Sequence, residues 1–342
     1  MIDWESGEPV VMGQFPGDLP EEVEGCILFQ TSGSSGRQKW VALHRRALWW
    51  SAERVVEHLQ MTEQDVCCLV IPTFHVGGFG LRTRAAVCGA REVFVEGKWD
   101  AETFLAQVER EEVSLSSLVP TQVVDLVRTG KRCPESVRGI VVGGGELSAK
   151  LRVEAESLGW PVLPSYGMTE TGSQIATGVG LPLISGWRVR SREGMLEVSG
   201  EGLFQGYVTP QGFLDPKVDG WFLTSDRGKV EEGKLTIFGR CDRQVKVLGE
   251  LVDLDELERW WKEKLRVELA LVALPEERRG HRLYLVTEGK GRDAWRTWNE
   301  ELIGPARVDG RVTVQSLPRS GIGKVDRGTL EQQIWAQKNP EI

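Results

Sequence analysis

Nine consecutive residues, Thr31-Ser32-Gly33-Ser34-Ser35-Gly36-Arg37-Gln38-Lys39, carry most of what holding a triphosphate requires. The hydroxyls of Thr31, Ser32, Ser34 and Ser35 can donate to phosphate oxygens. Gly33 and Gly36 let backbone N–H groups come close to an anion, and Lys39 adds a mobile point charge. The segment lacks the Gly-Lys-Ser/Thr ending of a Walker A loop, and the same residue types also build ordinary flexible turns. A second constellation is Ser165-Tyr166-Gly167-Met168-Thr169-Glu170-Thr171. There a ring can stack on a base, a threonine hydroxyl can meet a phosphate or carboxylate oxygen, and a carboxylate can hold Mg²⁺. Its plain reading is a strand-to-helix turn capped by Thr169. In Thr224–Gly228, Asp226 can accept both hydroxyls of a ribose, or simply sit in a solvated turn. In Leu317–Arg327, Gly321 and Gly323 set Lys324 on a loop able to deliver charge to a closed site.

These residues need elements to position them. Cys26–Phe29 reads as a buried strand ahead of the first loop. Leu48, Ala52, Val55 and Leu59 share one helix face. Strand-like runs at 66–71, 92–95, 115–119, 140–142 and 161–163 alternate with helical stretches at 100–111 and 121–128, and Ser148 caps a further helix. Such alternation predicts an α/β fold in which helices flank parallel-type sheets. Ligands in these sheets gather at the carboxyl ends of strands, where the loops at 31–39, 72–80, 143–146 and 165–172 fall. After about residue 185 the pattern becomes short strands at 195–198, 221–223, 228–230 and 235–238, a small antiparallel layer or barrel. From 243 it reads as a compact α+β domain with a helix over 254–265, strands over 269–273 and 283–287, a helix over 294–302 and a strand near 312–314. The expected organisation is a large domain over 1–240, a hinge at 241–246 and a small mobile domain over 247–342.

Composition narrows the class. A chain of 342 residues with 40% hydrophobic content suits about two globular domains. A net charge of −8 argues against a general nucleic-acid binder. No apolar run reaches membrane-span length, and the acidic start Met1–Glu5 lacks the order of a secretory signal, so a cytoplasmic location is expected. The cysteines, Cys26, Cys67, Cys68, Cys88, Cys133 and Cys241, form no metal-ligand spacing and read as reduced thiols. The tryptophans read as packing residues. The sequence leaves homo-oligomerisation open.

Taken in order, the segments resemble the adenylate-forming superfamily of acyl-CoA synthetases, peptide-synthetase adenylation domains and luciferases. Thr31–Lys39 is similar to its phosphate loop, Phe74-His75 within Pro72–Gly78 to its aromatic/His gate, and Gly143-Gly144-Gly145-Glu146 to its adenine loop. Tyr166–Glu170 is similar to its adenine, phosphate and Mg²⁺ motif. Asp226 matches the ribose-binding aspartate, Gly239–Asp242 the hinge, and Lys324 the catalytic lysine. Each motif is degenerate alone, but seven in register across roughly 300 residues are specific together.

The resemblance implies ATP and Mg²⁺ as cofactors and CoA as a substrate. It implies Tyr166, Gly167 and Gly143–Glu146 around the nucleotide, Asp226 and Arg240 on the ribose, and Glu170 on the metal. Thr169, Lys324 and His75 would serve catalysis, with Gly143 and His75 also lining the acid site and Asp242 acting as pivot. Within the superfamily the chain most resembles the o-succinylbenzoate–CoA ligases of menaquinone biosynthesis, through Ser117–Gln122, Phe74-His75-Val76, Arg227-Gly228, Gly233–Ile237 and Gly280-His281-Arg282. Arg84, nine residues after His75, falls where that family places an arginine near the second carboxylate of an aromatic dicarboxylate; its plain alternative is a structural ion pair. Another aryl- or acyl-CoA ligase, and a non-catalytic nucleotide-binding relative, are the competing readings. Three departures stand out. Roughly 25 residues precede the phosphate-loop strand, so part of the usual N-terminal region is expected to be missing or replaced. Gln38 stands where proline is usual, and Leu251 where a polar or basic residue is common.

Overall fold

Five short strands with apolar residues on both faces pair in parallel, as buried strands do when helices cover the sheet. In space they run Arg91–Phe94, Val66–Leu69, Leu115–Leu118, Gly139–Val142 and Val162–Met168, and Ser173–Thr177 joins antiparallel at the edge. This computed structural model describes residues 3–15, 17–31, 39–95, 97–276, 278–289, 295–321 and 323–338. Among them are eight α-helices: α1 (Arg45–His58), α2 (Val76–Cys88), α3 (Ala101–Glu111), α4 (Pro120–Thr129), α5 (Ala149–Ser157), α6 (Leu254–Leu265), α7 (Trp295–Glu301) and α8 (Arg327–Lys338).

Helices α3, α4 and α5 bury Phe104, Leu105, Val108, Val123, Leu126 and Ala155 against the sheet. On α2, Leu81 and Ala85 pack with Cys67, Leu69 and Leu115. Local signals start α3 and α5. The Asp100 carboxylate accepts from the Thr103 N–H at 2.8 Å, and the Ser148 hydroxyl from the Leu151 N–H at 3.2 Å. The chain leaves Val66–Leu69 for one neighbour and returns to Leu115–Leu118 on its other side, so the sheet has a switch point where ligand loops collect.

A second sheet is mostly antiparallel. Its order is Val10–Met12, Cys26–Thr31, Lys39–His44, Gly206–Thr209 and Gly212–Leu214, with only the first pair parallel. The phosphate-loop segment therefore joins two antiparallel strands closed by the pair Thr31 and Lys39, rather than leading into a helix. The third sheet has the order Arg188–Arg192, Met195–Ser199, Phe222–Glu231 and Lys234–Arg240. Phe222–Glu231 is one ten-residue strand where the sequence suggested two, because buried Thr224 and Asp226 continue the inward alternation of Phe222 through the polar stretch. Ile27, Phe29, Val41, Leu48, Phe79 and Ile175 are central to the core these elements share.

The chain divides into two compact units, Met1–Thr224 with Lys229–Thr236, and Ser225–Gly228 with Ile237–Ile342. The second contains the hairpin Gln244–Val247 and Glu250–Asp253, and a sheet of Leu269–Glu276, Gly280–Glu288 and Gly310–Val314. Trp261 and Leu257 of α6 cover one face of that sheet, and Leu330 and Ile334 of α8 the other. No helix among the described residues is long and apolar enough to cross a membrane.

Candidate active site

In the first unit, two segments follow the carboxyl ends of adjacent parallel strands. Gly143–Glu146 leaves Gly139–Val142, and the Gly143 N–H donates to the Leu118 carbonyl at 3.1 Å, tying this loop to the neighbouring strand. A Cβ on Gly143 would lie 2.9 Å from the Ser165 hydroxyl, which itself donates to the Val142 carbonyl at 3.0 Å. Tyr166 and Gly167 lie on the strand Val162–Met168 itself. Thr169-Glu170-Thr171 forms a 3₁₀ turn closed by Gly172, and the next strand runs antiparallel. The expected strand-to-helix turn is thus a strand-to-strand turn.

Glu170 is held from two sides. Its carbonyl accepts from the Phe204 N–H at 2.8 Å, and its carboxylate accepts from the Tyr207 hydroxyl at 2.8 Å. The Lys39 ammonium stands 4.8 Å from the centre of the same Tyr207 ring. One phenol therefore links the proposed metal carboxylate to the lysine that ends the phosphate-loop segment. Ser32, Gly33, Ser34, Ser35 and Gly36 lie outside the described residues, as does the Thr31 side chain. No group of three acidic, histidine or cysteine side chains that could cage a metal occurs among the described residues. A single carboxylate still fits Mg²⁺, which keeps waters and completes its shell with substrate phosphates.

His75 occupies the N-cap position of α2, half-buried, its ring 4.5 Å from that of exposed Phe74. The backbone just beyond it is crowded at one position: a Cβ on Gly78 would lie 2.1 Å from the Ile71 carbonyl oxygen, whereas one on Gly77 meets only the Ile71 side chain, at 3.8 and 4.0 Å.

Arg84, two turns further along α2, is only 2% exposed. Its Nη1 donates to the Gln174 side-chain oxygen at 2.7 Å and its Nη2 to the Ser117 hydroxyl at 3.2 Å, while buried Nε has no hydrogen-bond partner. Gln174 in turn donates to the Thr177 hydroxyl at 2.9 Å. Burial pulls the guanidinium pKa down to about 10, with Cys67 and Cys88 opposing, so it remains a cation at neutral pH. The described residues give Arg84 no carboxylate. The cavity beside it, which Ser51, Gly80 and Ser173 also line, is ≈ 10 Å³, about the space of one water. Ser117 and Gln174 carry no sequence signal for this role; only the fold brings them to Arg84.

The second unit collects the remaining charged candidates. Arg240 grips Asp242 with two hydrogen bonds, at 2.9 and 2.7 Å, and lies 3.5 Å from the Asp226 carboxylate. Asp242 sits in the 3₁₀ turn Cys241–Arg243. Lys324 keeps a solvent-exposed side chain, yet crowding around its ammonium lowers its pKa, the Arg240 guanidinium lowers it further, and Asp226 opposes both. Asp226, Arg240, Asp242 and Lys324 thus form one interacting group. The segment bearing Lys324 is a closed hairpin: the Ser320 N–H donates to the Lys324 carbonyl at 2.7 Å, and the Asp326 N–H to the Pro318 carbonyl at 2.7 Å.

The first unit is thus an α/β sheet with loops gathered at its switch point and a threonine–glutamate turn, an arrangement that suits a nucleotide-dependent activating enzyme. A family model for AMP-binding enzymes matches residues 5–196, more than half of the chain, and the chain belongs to that family. It is 30% identical over 322 residues to the 2-succinylbenzoate–CoA ligase of Listeria monocytogenes serotype 4b (strain F2365), covering 88% of this chain and 68% of that one. Among solved structures, a variant of E. coli MenE with bound OSB-AMS superposes with a TM-score of 0.81 at 26% identity, covering 92% of this chain and 70% of that one. The o-succinylbenzoate CoA synthetase (MenE) from Bacillus subtilis in complex with the acyl-adenylate intermediate OSB-AMP does so with a TM-score of 0.77 at 26% identity, covering 89% and 68%.

Proposed function

We infer that this chain is an AMP-forming acid–CoA ligase of menaquinone biosynthesis whose acid is o-succinylbenzoate. In the first half-reaction a substrate carboxylate oxygen attacks the α-phosphorus of ATP, and pyrophosphate leaves. In the second the CoA thiolate attacks the acyl carbon, and AMP leaves. The protein needs no nucleophile of its own; it needs alignment and charge neutralisation. Mg²⁺, when bound, offsets phosphate charge, and Glu170 is the residue to hold it. Thr31–Lys39 would grip the β- and γ-phosphates, Tyr166, Gly167 and Gly143–Glu146 the adenine, and Asp226 with Arg240 the ribose. Thr169 and Lys324 would face the α-phosphate. His75 would gate the path of CoA, and Asp242 would be the pivot about which the Lys324 hairpin withdraws. ATP and CoA are cytoplasmic metabolites, and the cytoplasm is where this reading places the enzyme.

The observation that carries the choice of acid is Arg84. A buried guanidinium whose described partners are a glutamine and a serine leaves a positive charge uncancelled, and a dicarboxylate brings the missing counter-charge. Because the adjoining void has room for about one water, the acid can reach Arg84 only if a neighbouring side chain yields. The test is ATP- and CoA-dependent thioester formation with o-succinylbenzoate beside benzoate, acetate and amino acids. Thioester should form with o-succinylbenzoate and fall by at least tenfold with benzoate, which lacks the second carboxylate. Equal rates with both aromatic acids would overturn the assignment of the acid, and no product with any would overturn the ligase reading.

A further inference from the structure

Glu258 on α6 is 5% exposed, yet it answers three cations. Arg327 donates to both of its oxygens, at 2.9 and 3.0 Å, Arg243 donates at 3.2 Å, and Lys262 at 3.1 Å. The Leu271 N–H adds a fifth hydrogen bond at 3.0 Å. A fold that needed only to neutralise Arg327 would be served by one pair, and burying further charges there is costly. The identity of the partners is informative. Arg327 stands three residues after Lys324, and Arg243 one residue after Asp242.

One turn earlier on the same face of α6, Asp255 accepts from Arg243 Nε at 3.0 Å and from the Arg240 N–H at 3.2 Å. The turn that carries Asp242 is therefore fastened to α6 on both sides of the aspartate. At the other end the link from Arg327 to Lys324 is short and stiff. Asp326, between them, is tied back to Pro318 and caps α8 by accepting from the Thr329 N–H at 3.1 Å.

We propose that Glu258 is a positioning residue for Lys324: from α6 it fastens the lysine hairpin to Arg243, directly after Asp242, so that the hairpin and the C-terminal side of the hinge turn travel as one rigid piece. Rotation about Asp242 is then delivered to the Lys324 ammonium without slack. This inference rests on the two-step ligase reading. Its physical basis is that misplacing a reacting charge by about 1 Å can cost roughly a hundredfold in rate.

The experiment uses the full chain with Glu258→Gln, which keeps the volume but not the charge, and Arg327→Lys, which keeps the charge but not the two-pronged grip. Both half-reactions are measured: pyrophosphate release from ATP and o-succinylbenzoate, and thioester formation from supplied acyl-AMP. Glu258→Gln should slow pyrophosphate release about tenfold or more while the KM for ATP and the second half-reaction stay within about twofold. Arg327→Lys should give the same split, and the double variant should be no worse than Glu258→Gln alone. Equal loss in both half-reactions with a lowered Tm would mean Glu258 only holds the fold, and unchanged pyrophosphate release would also overturn the proposal. Amide hydrogen exchange supplies a readout independent of turnover. The Arg240, Ser320 and Asp326 amides should open together in the native chain and separately in Glu258→Gln. If they already open separately in the native chain, the proposal fails, whatever the chain catalyses. If they open together in a chain that releases no pyrophosphate, the ligase reading fails and the joint stands.

Discussion

A guanidinium as buried as Arg84 must be there for a reason other than stability, because taking a charge out of water costs several kcal/mol and neutral partners return only part of it. Gln174 matters as much as the arginine: a glutamate in its place would cancel the charge, whereas the amide orients the fork and leaves it positive. Arg84→Met fills a similar volume without charge. It should raise the KM for o-succinylbenzoate by roughly 10- to 100-fold, the equivalent of about 1.5–3 kcal/mol for one charge-assisted contact, and leave the KM for ATP nearly unchanged. Steady-state kinetics with each substrate varied in turn decides this, and unchanged constants for both would make Arg84 a packing residue. Glu258 shows the opposite economy. Burial would raise its pKa, but Arg327, Lys262 and Arg243 hold it at about 2, so its carboxylate is charged throughout the physiological range.

Among the helices, α2 is the one whose sequence looks least helical, with Gly77, Gly78 and Gly80 in its first five residues. Of its three glycines, Gly78 is the one that gives clearance under the loop that precedes it. Gly78→Ala would push a methyl against the Ile71 and Pro72 carbonyl oxygens, at 2.1 and 2.6 Å, and should cost about 1–3 kcal/mol. Thermal melts would read that as a drop of roughly 2–4 °C per kcal/mol. Gly77→Ala, one residue away with open space, should be neutral or stabilising by up to about 1 kcal/mol, and equal losses in the two variants would show that helix propensity rather than clearance is at work. The same distinction explains what could be read from the sequence. Strands at 66–69 and 139–142 announce themselves because burial on both faces leaves apolar runs. The motifs on their carboxyl-end loops were legible through residue type. Tyr166 on a strand, the single strand Phe222–Glu231 and the closing helix α8 were not, because polar functional residues interrupt the patterns that mark elements. Tyr207 beside Glu170, Gln174 beside Arg84 and Glu258 beside Arg327 are meetings of distant segments, and local spacing carries no trace of them.

For the whole molecule, the two half-reactions must be served in turn. Lys324 feels the charge of Asp226, the proposed ribose partner, and on the proposed reading that is the arrangement that serves adenylation. Asp242→Pro, with φ fixed near −65°, should hold that arrangement. Acyl-AMP should form with a burst of about one equivalent of pyrophosphate, while steady-state thioester production collapses. Asp242→Ala, which removes the carboxylate that Arg240 grips but leaves the backbone free, should still turn over. Full turnover in the proline variant would remove Asp242 as the pivot. The mostly antiparallel sheet has a different consequence, for the order in which the protein is made. Its strand Lys39–His44 pairs on one side with Cys26–Thr31, which precedes it closely, and on the other with Gly206–Thr209. Roughly 160 residues separate the two events, which at ribosomal speed is about 10–30 s. Throughout that interval the edge presented by Trp40, Val41 and Ala42 has no strand to pair with, so the nascent chain passes through a window in which it is open to strand addition from a neighbour and in which a chaperone has most to protect.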